Sequence, residues 1–116
     1  MEYINAFREY LMLEKNYSVH TIGAYIKDIE GFKSYYFEAN DCNVIEKAVY
    51  PQIRSWVVFL AAQGISNSSI NRKIASLKSF YRYLQKINLL EVSPLYKHKS
   101  LKVEQISKFS NSIKTL

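Results

Sequence analysis

The feature that most limits the fold is a spacing. Four times between residues 2 and 86, apolar side chains recur three and four positions apart, the period of one helix face. The spacing predicts helices over roughly 2–15, 19–38, 51–63 and 67–86. Ile4, Phe7 and Leu11 mark the first face, with Tyr3, Tyr10 and Met12 on its flanks. Ile22, Tyr25, Ile26, Ile29, Phe32 and Tyr36 mark the second. Ile53, Val57 and Leu60 mark the third, with Trp56 and Phe59 beside them, and Ile70, Ile74, Leu77, Tyr81 and Leu84 mark the fourth. The punctuation agrees. Ser18 and Ser66 stand where helix N-caps belong. Pro51 suits a first helical position. Asn16 and Gly64 suit left-handed stops, with Ile65 placed to fold back on Leu60. No alternating pattern of useful length and no internal repeat competes, so the expected class is all-α, a bundle of four helices.

Past Leu90 the chain changes character. "EVSPLYKHKSLKVEQISKFSNSIKTL" opens with a Ser-Pro stop and turns basic and serine-rich, as a linker does. Val103, Ile106, Phe109, Ile113 and Leu116 share a helical spacing there. A short amphipathic helix that docks elsewhere and a frayed tail both fit that pattern.

Charge divides the chain. Residues 1–50 hold five Lys/Arg against eight Asp/Glu, net −3, and residues 51–116 hold eleven against two, net +9. The basic half suits an anionic partner, although a solvated basic surface fits charge alone equally well. The fourth helix sharpens the choice. With Ile70 at zero and 100° per residue, Ile74, Leu77, Tyr81 and Leu84 fall within about 40° of it. On the far side lie Ser69, Arg72, Ser76 and Ser79. Lys73 borders one edge of this strip, and Asn71, Lys78 and Arg82 border the other. No Asp or Glu occurs from Asn67 to Asn88. Solvated bundle helices ordinarily mix in Glu for ion pairs one turn apart. A low hydroxyl strip with cationic shoulders suits a helix lying in a DNA major groove, with short side chains near base edges and Arg/Lys at phosphates. The second helix adds His20, Thr21, Ala24, Lys27, Asp28 and Gly31 on its non-core side. Ala24 and Gly31 keep that surface low, and Thr21 in the first turn suits a phosphate contact. Asp28 is unfavourable on such a face unless it pairs with a neighbouring cation.

Other classes find little support. One cysteine, Cys42, excludes an internal disulfide, and His20 and His98 lie far apart, so no metal or other cofactor is expected. No apolar run approaches the ~20 residues of a membrane helix, and "MEYINAFREYL" is not a secretory signal. A cytoplasmic setting is expected. There is no paired-carboxylate motif, Gly-rich phosphate loop or Cys–His arrangement. Two readings stay open on the residues alone: a DNA-binding domain, and a helical protein-interaction module with a basic face.

Two stretches carry a resemblance. "YSVHTIGAYIKDIEGFKSY" (17–35) resembles the LS-x-x-T-x-x-x-Y-x-x-D-L-x-x-F signature of the tyrosine recombinases, the phage-integrase or Xer-like family. "GISNSSINRKIASLKSFYRYLQKINLLEVSP" (64–94) resembles that family's G-x-S-x-x-T-I-N-R-x-x-S-x-L-R-x-F-Y segment. The likeness spans about residues 3–94. It implies a SAM-like orthogonal bundle of four helices, residues 1–90, that binds double-stranded DNA. Its second and fourth helices would clamp a recombination half-site. Residues 91–116 would lead toward a catalytic domain that lies elsewhere. By position it carries DNA contact onto Thr21, Tyr25, Asn71, Arg72 and Lys78. With the residues read from the helix faces, the expected set also includes Lys27, Ser69, Lys73, Ser76, Ser79 and Arg82. The sequence departs from the pattern at Ser69 (for Thr), Ala75 (for Ser), Lys78 (for Arg) and Ser93 (for Asn). Lys78 keeps a charge but loses the bidentate fork. The family's chemistry, tyrosine attack on a phosphodiester, uses Arg and His residues of the other domain, and no Arg follows Arg82 here. The resemblance therefore implies a non-catalytic piece, monomeric alone. The parent would act in a tetrameric synapse of protomers.

Overall fold

A computed structural model describes residues 3–96 and 98. Its elements are α1 (Tyr3–Leu13), α2 (Val19–Asn40), a 3₁₀ turn (Ile45–Lys47), α3 (Tyr50–Ala62) and α4 (Asn67–Lys86). The described residues are helical throughout their regular structure, as the periodicity requires, and include no strand. The apolar stripe at 103–116 lies outside the described residues.

Local chemistry sets the boundaries. The Ser18 and Ser66 hydroxyls accept from the Thr21 and Ser69 backbone N–H groups, each at 3.2 Å, satisfying one orphan donor at each helix start. At the start of α3 the carboxamide of Gln52 accepts from Val49 N–H at 2.9 Å. Gly64 closes α3 at φ 85°. Its N–H reaches Ala61 O, and Ile65 N–H reaches Leu60 O at 3.1 Å, which is a Schellman motif. Asn16 at φ 56° turns the chain from α1 into α2, and Asp41 at φ 54° ends α2.

The central pair is α2 and α4, and α1 and α3 each pack on both. The buried interior takes Phe7 and Leu11 from α1, Ile29 and Phe32 from α2, Ile53 and Trp56 from α3, and Ile70, Leu77, Phe80 and Tyr81 from α4. Phe80, absent from the expected stripe, meets Phe7 edge-on at 5.5 Å between ring centroids. Each such buried ring contributes about 1.5–3 kcal/mol. On α3 the buried aromatic is Trp56, against Phe32, while Val57 is half-buried. The Tyr81 hydroxyl donates to Ile45 O at 2.6 Å, tying the 3₁₀ turn to α4.

Past α4 the chain stays packed against the bundle. Leu95 is fully buried. Beyond it, His98 N–H donates to Leu95 O, and the His98 ring lies beside Tyr50, with the phenol oxygen 3.1 Å from Nδ1. Among the described residues no helix is long and apolar enough to cross a membrane.

Candidate nucleic-acid interface

Because Phe80 turns inward to meet Phe7, the buried arc of α4 is wider than the apolar stripe, and it takes in Ser76. Past its first residue, Asn67, the exposed positions on α4 are Ser68, Arg72, Ala75, Arg82 and Lys86. On the same wheel these centre roughly 60° away from the expected strip. The open face is thus a ridge of small residues, Ser68 and Ala75, crossed by Arg72, Arg82 and Lys86, with Asn71, Lys78 and Ser79 half-buried at its margins.

Ser76 is the correction this forces. It was expected on the outward strip. Its side chain is instead buried, and its hydroxyl donates to Asp28 Oδ2 at 2.7 Å. Asp28 is itself only 2% exposed. A buried carboxylate is costly unless paired and hydrogen-bonded. Arg72 Nη1 lies 2.6 Å from Oδ2, and Lys73 Nζ lies 3.5 Å from Oδ1. The acid that looked unfavourable on a DNA face is therefore neutralised beneath it. Lys73 leans inward toward this acid, with 22% of its side chain exposed, whereas Arg72 keeps 54% of its own.

Around this cluster α2 and α4 enclose an open groove of about 390 Å³, walled by Thr21, Ala24 and Tyr25 on one side and by Arg72 and Ala75 on the other. Thr21 is exposed, and its hydroxyl accepts from Ser18 at 3.0 Å. Tyr25 is half-buried. Burial first, then Tyr17, pushes its phenol above the ordinary value, while a hydrogen bond with Ser79 pulls the other way. A second open groove, about 550 Å³, shares Tyr25 with the first and is also lined by Ser79. It adds Arg82 and Lys86 from α4, and Lys15 and Tyr17 from the α1–α2 turn. Lys78 and Arg82 also line a smaller recess with Ser93 and Tyr96. Lys27 is exposed on α2 but lines neither of the two grooves that contain Tyr25, and Ser69 is half-buried beside the Ser66 cap. Gly31, read as lowering this surface, belongs to a different groove, an apolar one with Trp56 and Phe59 on the α3 side. Lys15, Tyr17 and Lys86 escaped the sequence reading. Lys86 shares the azimuth of Ser68 and was legible on the wheel, but the turn that brings Lys15 alongside was not.

Among the described residues, Arg82, Lys86, Lys78 and Lys15 have no acidic group within ion-pair distance. Their charge is available to an anion outside the fold. The profile of the family described as "Phage integrase, N-terminal SAM-like domain" matches residues 4–87. The chain belongs to that family. Its SAM-like bundle is also similar to part of several curated proteins. It is 36% identical over 92 residues to the tyrosine recombinase XerC of Bacillus subtilis (strain 168), covering 79% of this chain and 30% of that protein. The XerC of Oceanobacillus iheyensis gives the same identity and coverage. The XerC of Rickettsia canadensis (strain McKiel) is 34% identical over 105 residues, covering 87% of this chain and 34% of that protein. The chain thus spans about a third of the length of the relatives it matches. No solved structure matches it.

Proposed function

We propose that this SAM-like domain binds duplex DNA for a site-specific tyrosine recombinase, with the N-terminal half of α2 and the outward ridge of α4 in or across the major groove. The observation that carries the reading is the acid-free ridge of α4 beside the α2 groove. Short side chains allow close approach there, and cations without acidic partners surround them. Thr21, Tyr25, Asn71, Arg72 and Ser79 lie toward the centre of that surface or its margin. Lys27, Lys78, Arg82, Lys15 and Lys86 are phosphate contacts, and Ser69 and Lys73 act from the edge. Ser76 supports the surface from below.

The domain does no chemistry itself. Residues beyond His98 lead toward a catalytic domain in the parent protein, which works in the cytoplasm as a tetramer on two duplexes. Similarity to the recombinases named above supports this part of the reading.

Duplex binding by the whole chain, followed by fluorescence anisotropy, tests it. Counterion release makes log affinity fall linearly with log salt, by about 0.9 per phosphate neutralised. Four such contacts give a loss of roughly 150-fold for a fourfold rise in salt. Arg82→Ala and Lys78→Ala each reduce that slope by about one and leave the helical circular dichroism unchanged. Absence of duplex binding at low salt would overturn the reading and favour an acidic protein partner.

A further inference from the structure

A carboxylate directly beneath a surface built for a polyanion calls for a reason. Asp28 gains from Arg72, Lys73 and Ser76, but an apolar residue of similar size would spare α2 and α4 the desolvation of a buried ion pair altogether. What the carboxylate adds is direction. Arg72 donates one terminal nitrogen, Nη1, to Oδ2 at 2.6 Å, while more than half of its side chain stays exposed at the groove wall. A guanidinium anchored at one nitrogen keeps further donors in a fixed plane, and little rotamer freedom remains to be lost on binding. As a phosphate contact this is a poor arrangement, because the pair with Asp28 cancels the charge that a phosphate would use. As a base reader it is a good one. The fork is planar and pre-set, it lines the same groove as the small side chains of Ala24 and Ala75, and guanine presents two acceptors, N7 and O6, to such a fork in the major groove.

Resting on the duplex-binding reading above, we infer that Asp28 is a positioning residue that aims Arg72 at a guanine edge. This cluster then supplies sequence preference, while the rim cations supply affinity. The inference runs against simple electrostatics, by which removing an acid near DNA tightens binding everywhere and changes no preference.

The test uses the whole chain as wild type, Asp28→Asn and Arg72→Lys. Each is measured for affinity toward one fixed duplex of arbitrary sequence and for enrichment from a pool of duplexes with randomised centres. Wild type is expected to enrich a site containing a G·C pair whose replacement costs about tenfold. Both variants lose the preference at that pair, and Asp28→Asn, altered beneath the surface rather than on it, binds the arbitrary duplex within twofold of wild type or more tightly. Arg72→Lys keeps the charge and the ion pair, so it decides the matter even if Asp28→Asn fails to fold. A purely structural ion pair would leave the Lys variant's preferences intact, and that result overturns the inference. So does a wild type that binds duplexes without enriching any site, or an Asp28→Asn that folds and loses affinity equally on all sequences. Wild type binding no duplex at all would instead sink the duplex-binding reading, and this inference with it.

Discussion

The Tyr81 hydroxyl and the Asp28 carboxylate are the two polar groups on which the interior turns, and they illustrate opposite economies. Tyr81 spends its one hydroxyl on the Ile45 carbonyl at 2.6 Å. Burial above all, with Glu46 and Tyr36 adding to it, pushes the phenol far above its ordinary value, so it stays a neutral donor. Tyr81→Phe removes one of the two donors to that carbonyl, leaving it the Ala48 N–H at 3.1 Å, and is expected to cost about 1 kcal/mol. Urea denaturation checks this, through a lower midpoint at an unchanged slope. Asp28 collects three partners, two of them cationic, from 44 to 48 positions further along the chain. That distance is why sequence could state only a condition for Asp28, that it pair with a cation, and could not name Arg72 as the one.

At the scale of the helix, what was legible follows from what is local. Ser18, Ser66, Asn16 and Gly64 act on backbone groups within a few residues of themselves, so their capping roles could be read directly and the structure places them as expected. The outward azimuth of α4 is not local. It depends on Phe80 finding Phe7 on another helix, and a count of apolar residues along one helix contains no such information. The displaced strip, the inward Ser76 and the reassigned Gly31 all descend from contacts of that kind. Gly31 yields a prediction of its own. A methyl group there would meet Trp56 Cζ2 at 3.8 Å, ordinary contact distance, in the interior of α2. Gly31→Ala is expected to stabilise the fold by about 0.5–1 kcal/mol. It should leave duplex affinity unchanged, because Gly31 lies on the α3 side of α2. Thermal unfolding and anisotropy together check both halves.

For the molecule as a whole, the segment after α4 closes the core. His98 holds its end against Tyr50, at the first turn of α3. Burial first, then the positive charges of Lys78 and Arg54, holds its imidazole below the usual value of 6.5. The docked state therefore favours the neutral ring. Its contribution is complete above the ordinary imidazole value and is lost as pH falls below that value, through the lowered one. The Leu95 and His98 amide resonances should report release of the segment on acidification. His98→Gln should flatten that dependence, and a pH profile shared by both proteins would count against the tether.

Leu95 gives the tether a practical meaning. Although it lies nine residues past the last helical position, it plugs the interior as completely as Leu77 does. A shortened version trimmed at the end of α4 would be uncorked, with a leucine-sized hole opening to water. Any weakness it then showed on a binding assay would measure a leaking core rather than a missing contact.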